Sequence, residues 1–476
     1  MSYRIGERDQ AVLFPALLED YVSGEDPVRA YDAFVEALDF RKLGISLEED
    51  KVGHPSYHPK AMMKLLVYGY SYGWRSSRKL ERATHHNVSF MWLTGGMRPD
   101  HKTIANFRRE HRQALREVLK QCAKICMELQ LIEGSSLFLD GSKIRANASI
   151  NKTKSKVWLE REDQELEKRI EGILKESEAL YVKESGTLVS MSEELKDKQK
   201  LREKISRLLK IMEEEKKEKI NSTDTESVTI HGRQGSHAGY NAQMVVDEKH
   251  GLIVNSDVVS ANSDMGQFTD QMEQAHEVLG QLCHTACADA GYSKASDLKG
   301  TVDKEIEVIV PSQKQAAHRP KAEDPFGKEK FQYDEEQDQY ICPEGKVLRH
   351  SHYSPTKEQH LYRMKDPQDC LSCRHDGVCT SNPRGRSIIR LKEEKTKEML
   401  EALYQTERGQ AVYKKRKEKV ELPFGHIKRN LNGWAFLLRG RLGVQAEMAI
   451  HATCFNIARM MTLLGGVQPM IQKLAT

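Results

Sequence analysis

Two short apolar runs each deliver an aspartate at their end, with glycine close behind: Leu137-Phe138-Leu139-Asp140-Gly141 and Thr285-Ala286-Cys287-Ala288-Asp289-Ala290-Gly291. A carboxylate at the end of a buried strand is costly to desolvate unless donors or a cation compensate it. Each aspartate is therefore either a structural group with its own hydrogen bonds or part of a metal site. A sheet that laid the two strands side by side would bring Asp140 to Asp289, and two unpaired carboxylates so placed repel unless a divalent cation joins them.

The intervening pattern supplies such a sheet. Residues 239–247 and 252–259 alternate with period two across Glu248-Lys249-His250-Gly251, which predicts a hairpin. A helix is expected over 267–279, another over 294–299, and a strand over 306–311. This order predicts an antiparallel meander running into α/β units. Between the first strand and the hairpin, residues 152–220 read as an inserted charged helical hairpin. Its apolar positions are Leu166, Ile170, Ile173 and Leu174, then Leu201, Ile205, Leu208, Leu209 and Met212, interrupted at Gly186-Thr187-Leu188-Val189-Ser190. Its charge-laced surface is a solvated face or a dimer seam.

Upstream, residues 26–133 are helical, with apolar residues recurring at three and four, as in Leu115, Val118, Leu119, Cys122 and Ile125. Pro99-Asp100 starts a short helix, 103–112, expected to expose Lys102, Arg108, Arg109 and Arg112. That is the look of a groove-entering helix in a helix-turn-helix unit, or of a solvated basic face. Tyr68, Tyr70, Tyr72 and Trp74, with Arg75, Arg78 and Lys79, read either as DNA contacts or as core and rim.

A third acid stands in a basic segment, Tyr413-Lys414-Lys415-Arg416-Lys417-Glu418-Lys419-Val420-Glu421-Leu422-Pro423-Phe424-Gly425-His426-Ile427-Lys428-Arg429. At about 100° per residue, Tyr413, Arg416, Glu421 and Lys428 fall roughly on one face of an unbroken helix. Pro423 argues instead for Glu421 near the start of a helix whose apolar face is Phe424, Ile427 and Leu431. The whole-chain net charge of +4 is too small to argue for nucleic acid, so Lys414, Lys415, Lys417, Lys419 and Arg429 carry that argument locally. A solvated helix face is the alternative for each of them.

These pieces together resemble DDE transposases of bacterial insertion sequences, in the superfamily marked by a Tyr-Arg-Glu-Lys signature. The matching residues are Leu139-Asp140-Gly141-Ser142-Lys143, Ala288-Asp289-Ala290-Gly291-Tyr292, Tyr413-x2-Arg416 and Glu421-x6-Lys428, with Phe436-Leu437-Leu438-Arg439-Gly440-Arg441 downstream. One departure is that four residues, not the usual three, separate Arg416 from Glu421. The resemblance implies an α/β, ribonuclease H-like mixed-sheet catalytic domain over 134–466 and an all-α N-terminal DNA-binding domain over 1–133. It implies that Asp140, Asp289 and Glu421 are catalytic and hold two Mg²⁺ ions, for which Mn²⁺ can substitute. It further implies that Tyr413, Arg416 and Lys428 meet the DNA backbone; Arg108 and Arg109 are the candidate DNA contacts of the N-terminal domain.

Nine cysteines in a chain of 476 residues do not suggest an extracellular disulfide framework. Cys342-Pro343-Glu344-Gly345, then Cys370-x2-Cys373-x5-Cys379, suit a four-thiolate zinc site within a cysteine-bearing insertion over 325–395. His375 could replace one thiolate, an iron–sulfur cluster would use similar ligands, and unbound thiols are the remaining alternative. Cys122, Cys126, Cys283, Cys287 and Cys454 lie among apolar residues and are expected in the core. No apolar run approaches the roughly 20 residues of a spanning helix, and Met1–Arg8 has no signal-peptide core. A cytoplasmic, nucleoid-associated protein is therefore expected, without a membrane partner.

Three functions fit these residues. The first is a transposase that cuts at terminal inverted repeats and joins the 3′ end to target DNA, as a homodimer on double-stranded DNA. The second is a ribonuclease H-like nuclease without strand transfer. The third is a catalytically inactive DNA-binding regulator, which the presence of all three acids in context disfavours.

Overall fold

A computed structural model of the chain describes residues 17–47, 57–183, 193–232, 235–317 and 324–475; Met1–Arg8 and the Gly186–Ser190 interruption lie outside the described residues. Six helices come first: α1 (Pro27–Glu36), α2 (Pro59–Ser71), α3 (Ser77–His86), α4 (Val88–Leu93), α5 (His101–Glu110) and α6 (Arg112–Glu128). Side chains set their starts. Asp26, Asn87 and Asp100 accept from Val28, Phe90 and Thr103 N–H groups, and Pro27 and Pro59 fill first turns where their missing N–H is harmless. The short helix expected over 103–112 begins two residues earlier and ends at Glu110, so Arg112 opens α6 instead.

Next come β1 (Ser136–Arg145), β2 (Thr153–Ser155), α7 (Lys156–Lys183), α8 (Glu193–Glu214), β3 (Lys219–Asn221), β4 (Val228–Gly232), β5 (Gly235–Asp247), β6 (Ile253–Val259), α9 (Phe268–Leu279), β7 (Thr285–Cys287), α10 (Ala295–Val302) and β8 (Glu307–Ile309). The main sheet has the order β4-β5-β1-β7-β8, with β6 also on β5. β1 runs antiparallel to β5, which runs antiparallel to β6. On its other edge β1 is parallel to β7, and β7 to β8. β5 is buried without interruption from 238 to 247, as a central strand covered on both faces must be. α7 and α8 carry a small core of their own, including Leu159, Leu166, Ile205, Leu208 and Met212, above the β2–β3 ladder.

A second, antiparallel sheet follows: β9 (Gln332–Asp334), β10 (Gln339–Ile341), β11 (Val347–Ser354), β12 (Gln359–Met364) and, after the short α11 (Gln368–Leu371), β13 (Ser387–Leu391), in the order β13-β12-β11-β10-β9. Phe331, Tyr340, Leu348, Tyr362 and Ile388 form its separate core. The chain ends in α12 (Glu394–Gln405), α13 (Glu407–Arg429), α14 (Arg441–Leu464) and α15 (Val467–Leu474).

α14 is buried along most of its length and packs on α6, α2 and β6, so the N-terminal helices and the main sheet share one continuous core. A buried ion pair locks this junction. Arg75 donates to Glu447 at 2.7 Å and to the Ala435 carbonyl, while the Leu437 and Leu438 N–H groups also donate to Glu447, which has no exposed surface.

Candidate active site

β1 and β7 pair over only three residues each, ending at Phe138 opposite Cys287. Asp140 and Asp289 are thus each two residues past the last pair, at matching positions where the two strands part. Their carboxylates converge on one nitrogen: Arg416 Nη2 lies 2.8 Å from Asp140 Oδ1 and 3.4 Å from Asp289 Oδ2. Burial pushes the Asp140 carboxyl up to about 6, with Arg416 pulling it down and Asp289 pushing it further up. Asp289 also accepts from the Gly291 N–H, 2.8 Å away.

A third aspartate, not anticipated from sequence, closes the other side of β1. Asp264, in the loop after β6, accepts from Lys143 at 2.9 Å, Asn241 at 2.8 Å and Gln243 at 2.9 Å. Burial opposes its ionisation, yet those donors hold its carboxyl below the usual range. Gly141 leaves room for this cluster: a Cβ would fall 2.3 Å from Asp264 Oδ1 and 2.9 Å from Tyr292 Oη, so those side chains would have to shift. The sequence sign of this cluster is the pair Asn241 and Gln243, polar at alternate positions of an otherwise apolar strand.

α13 covers the opening. It runs unbroken through Pro423, so Glu421 sits well inside the helix, not at its start. The four signature residues do not share one face. Arg416 is buried together with Val420, Pro423, Phe424 and Ile427, whereas Glu421 is exposed. Five residues at about 100° each separate Arg416 from Glu421 by about 140°, which is the physical reason. Lys428 is on the Glu421 flank and donates to Ser142 Oγ at 2.5 Å; burial lowers its pKa and Asp140 raises it in part. Tyr413 is half-buried, edge-on to Tyr404, with the Arg416 guanidinium 5.9 Å from its ring centre. Asp140, Asp289, Arg416 and Tyr413 are thus brought together, Lys428 reaches the same strand, and Glu421 stands off toward solvent.

The N-terminal basic residues divide. Arg108 is not exposed as expected: it is 4% accessible and donates to Tyr70 Oη and to the Arg75 carbonyl, because α5 turns it inward as a tie to α2. Arg109 and Lys102 remain exposed. Tyr68 and Tyr70 are buried and Trp74 stacks on Phe90, so these aromatics build core.

In the second sheet Cys342, Cys370, Cys373 and Cys379 line one cavity of about 360 Å³ with His375 and Glu344. The Lys346 N–H donates to Cys342 Sγ and the Arg386 N–H to Cys370 Sγ, each at 3.3 Å. Cys122, Cys126, Cys283, Cys287 and Cys454 are buried. Among the described residues no group of three or more His, Cys, Asp or Glu side chains is placed to hold a metal ion, and no helix is long and apolar enough to cross a membrane.

Two family comparisons match the chain. Residues 16–110 match the family described as Transposase domain (DUF772), and residues 341–461 match that described as Transposase DDE domain. The second range contains Tyr413, Arg416, Glu421 and Lys428; Asp140 and Asp289 precede it. No curated protein matches. Among solved structures the chain is similar to a piggyBac transposase synaptic complex with hairpin DNA, at 8% identity and a TM-score of 0.34, covering 95% of this chain and 79% of that one.

Proposed function

We infer, from a chain that is a DDE-type DNA transposase, that Asp140, Asp289 and Glu421 hold Mg²⁺ and that the protein cuts its element's terminal repeats and joins the 3′ ends to target DNA. The observation that carries this reading is the convergence of Asp140 and Asp289, from neighbouring parallel strands, on a single cationic nitrogen. The strand order, three antiparallel strands continued by two parallel ones, supports a ribonuclease H-like domain. Asp140 and Asp289 fit a hard divalent cation, since their carboxylates already face a common positive charge; Glu421, exposed on α13, would have to turn inward to join them. Bound there, Mg²⁺ supplies activation of the attacking water or 3′-hydroxyl and stabilisation of the leaving oxygen.

The chain's own residues orient the DNA. Lys428 and Arg416 offset phosphate charge beside the acids, and Tyr413 packs or hydrogen-bonds at the backbone. Arg109 on α5 is the candidate contact of the helical region, whereas Arg108 positions α5 from within. Two copies, each on one element end, give a homodimer on DNA in the nucleoid. The test is cleavage of a duplex carrying the gene's flanks. Mg²⁺-dependent cutting, absent in EDTA and lost in Glu421→Gln with end binding retained, is expected. Undiminished cutting by Glu421→Gln would remove that residue from the triad.

The cysteine cavity belongs to the same reading as a structural zinc site. Backbone N–H groups already donate to two of the sulfurs, and the Cys342 turn closes through Gly345 at φ 76°, the local support a thiolate ligand needs. Cys370→Ser with Cys373→Ser is expected to release one tightly bound zinc per chain; an unchanged metal content would exclude it.

A further inference from the structure

We propose that Arg416 is the resident cation of the acid pair, and that a divalent cation takes Asp140 and Asp289 only as Arg416 leaves them for a DNA phosphate, which couples metal binding to DNA binding. The inference rests on Asp140 and Asp289 being metal ligands. Its own support is the placement of Arg416, which is 7% exposed, donates from Nη2 to Asp140, and points Nε at the Leu139 carbonyl, 3.4 Å away. A second cation between those carboxylates would meet the like charge of the buried Arg416 guanidinium.

Lys428 feels the charge of Asp140, but neither nearby lysine is ion-paired with the two acids. Lys143 is engaged by both oxygens of Asp264, and Lys428 by Ser142. Among the described residues, then, Arg416 is the cation paired with Asp140 and Asp289. A guanidinium turned out of this seat needs another anion, and phosphate offers the bidentate geometry that suits it.

The spacing on α13 points the same way. With three intervening residues, an arginine and a glutamate are about 40° apart on a helix and can face a site together; with four they are about 140° apart. Here α13 gives Arg416 to the acids and leaves Glu421 on the solvent flank. Any turn of the helix that carries Glu421 inward carries Arg416 outward. The extra residue thus separates two states, one closed by Arg416 and one completed by Glu421, and DNA favours the second. Linkage then requires metal to tighten DNA binding by the factor with which DNA tightens metal binding.

Mn²⁺ binding to the full chain, followed by the EPR signal of free Mn²⁺, tests this without any turnover. Wild type, Arg416→Gln and Asp140→Asn are compared without DNA and with a duplex carrying the gene's flanks. Without DNA, Arg416→Gln should bind Mn²⁺ about tenfold more tightly than wild type; with DNA, wild type should gain and Arg416→Gln should gain little. Equal affinities of wild type and Arg416→Gln without DNA, with Asp140→Asn abolishing binding, would overturn the inference and leave the metal site standing. Mn²⁺ binding unchanged by Asp140→Asn would remove the metal site itself, and this inference with it. Should Arg416→Gln fail to fold, Arg416→Lys carries the test: it keeps the charge but loses the fork, so a smaller gain in affinity is expected and no gain would overturn the inference.

Discussion

Asp140→Asn is expected to lower DNA cleavage and joining on the order of 10³-fold or more, while the variant still binds element ends. Asparagine keeps the shape of the side chain and one acceptor oxygen but removes the charge that a divalent cation requires. The same change should not harm the fold. Burial raises the Asp140 carboxyl to about 6, above its unfolded value, so its contribution to stability is complete only below the unfolded pKa and is lost as pH rises through about 6. Near neutral pH the ionised group therefore weighs against folding in metal-free protein. Asp140→Asn should melt no lower than wild type at pH 7 without metal, and should flatten the fall in melting temperature between about pH 4 and 6. Cleavage assays and melting curves on the same preparation check both halves. A variant that loses cleavage by unfolding would return Asp140 to a structural role.

Glu447→Ala should be the most damaging single change to stability, at about 3–5 kcal/mol out of a total of about 5–15 kcal/mol. Glu447 has no exposed surface, and burial raises its carboxyl while Arg75 pulls it down. Truncation would strand the Arg75 guanidinium and remove the acceptor of the Leu437 and Leu438 N–H groups. The loss is also regional, because this residue joins the chain after α2, the segment after α13, and α14. Urea unfolding checks it, with Glu447→Gln as a control that retains an acceptor oxygen and should lose less. A Glu447→Ala midpoint within about 1 kcal/mol of wild type would contradict this reading of the junction.

Asp140 on β1 and Asp289 just past β7 are legible because strand and glycine patterns are local. Both aspartates end short apolar runs, and the parallel pairing of those runs follows from the α/β order between them. Three other features depend on long-range packing. Arg108 looked exposed because neighbouring charges flank it, but α5 turns that position toward Tyr70. Asp264 sits in an irregular loop, and only its partners Asn241 and Gln243 leave a trace in the strand pattern. Glu421 and Arg416, expected on a common face, are about 140° apart around the helix axis. The unbroken α13, with Pro423 on its buried side, separates them. Proline was the misleading residue: it lacks an N–H to give to the Lys419 carbonyl, yet the apolar packing of Val420, Phe424 and Ile427 keeps the helix continuous.

The most direct measurement is strand transfer by the wild-type protein from a pre-cut duplex that ends in the element's own 3′-hydroxyl, with a supercoiled plasmid as target. Covalent joining that requires Mg²⁺, the 3′-hydroxyl and Asp289 is the predicted result. End binding without joined product in either Mg²⁺ or Mn²⁺ would contradict the assignment of Asp140, Asp289 and Glu421 as a site for DNA joining.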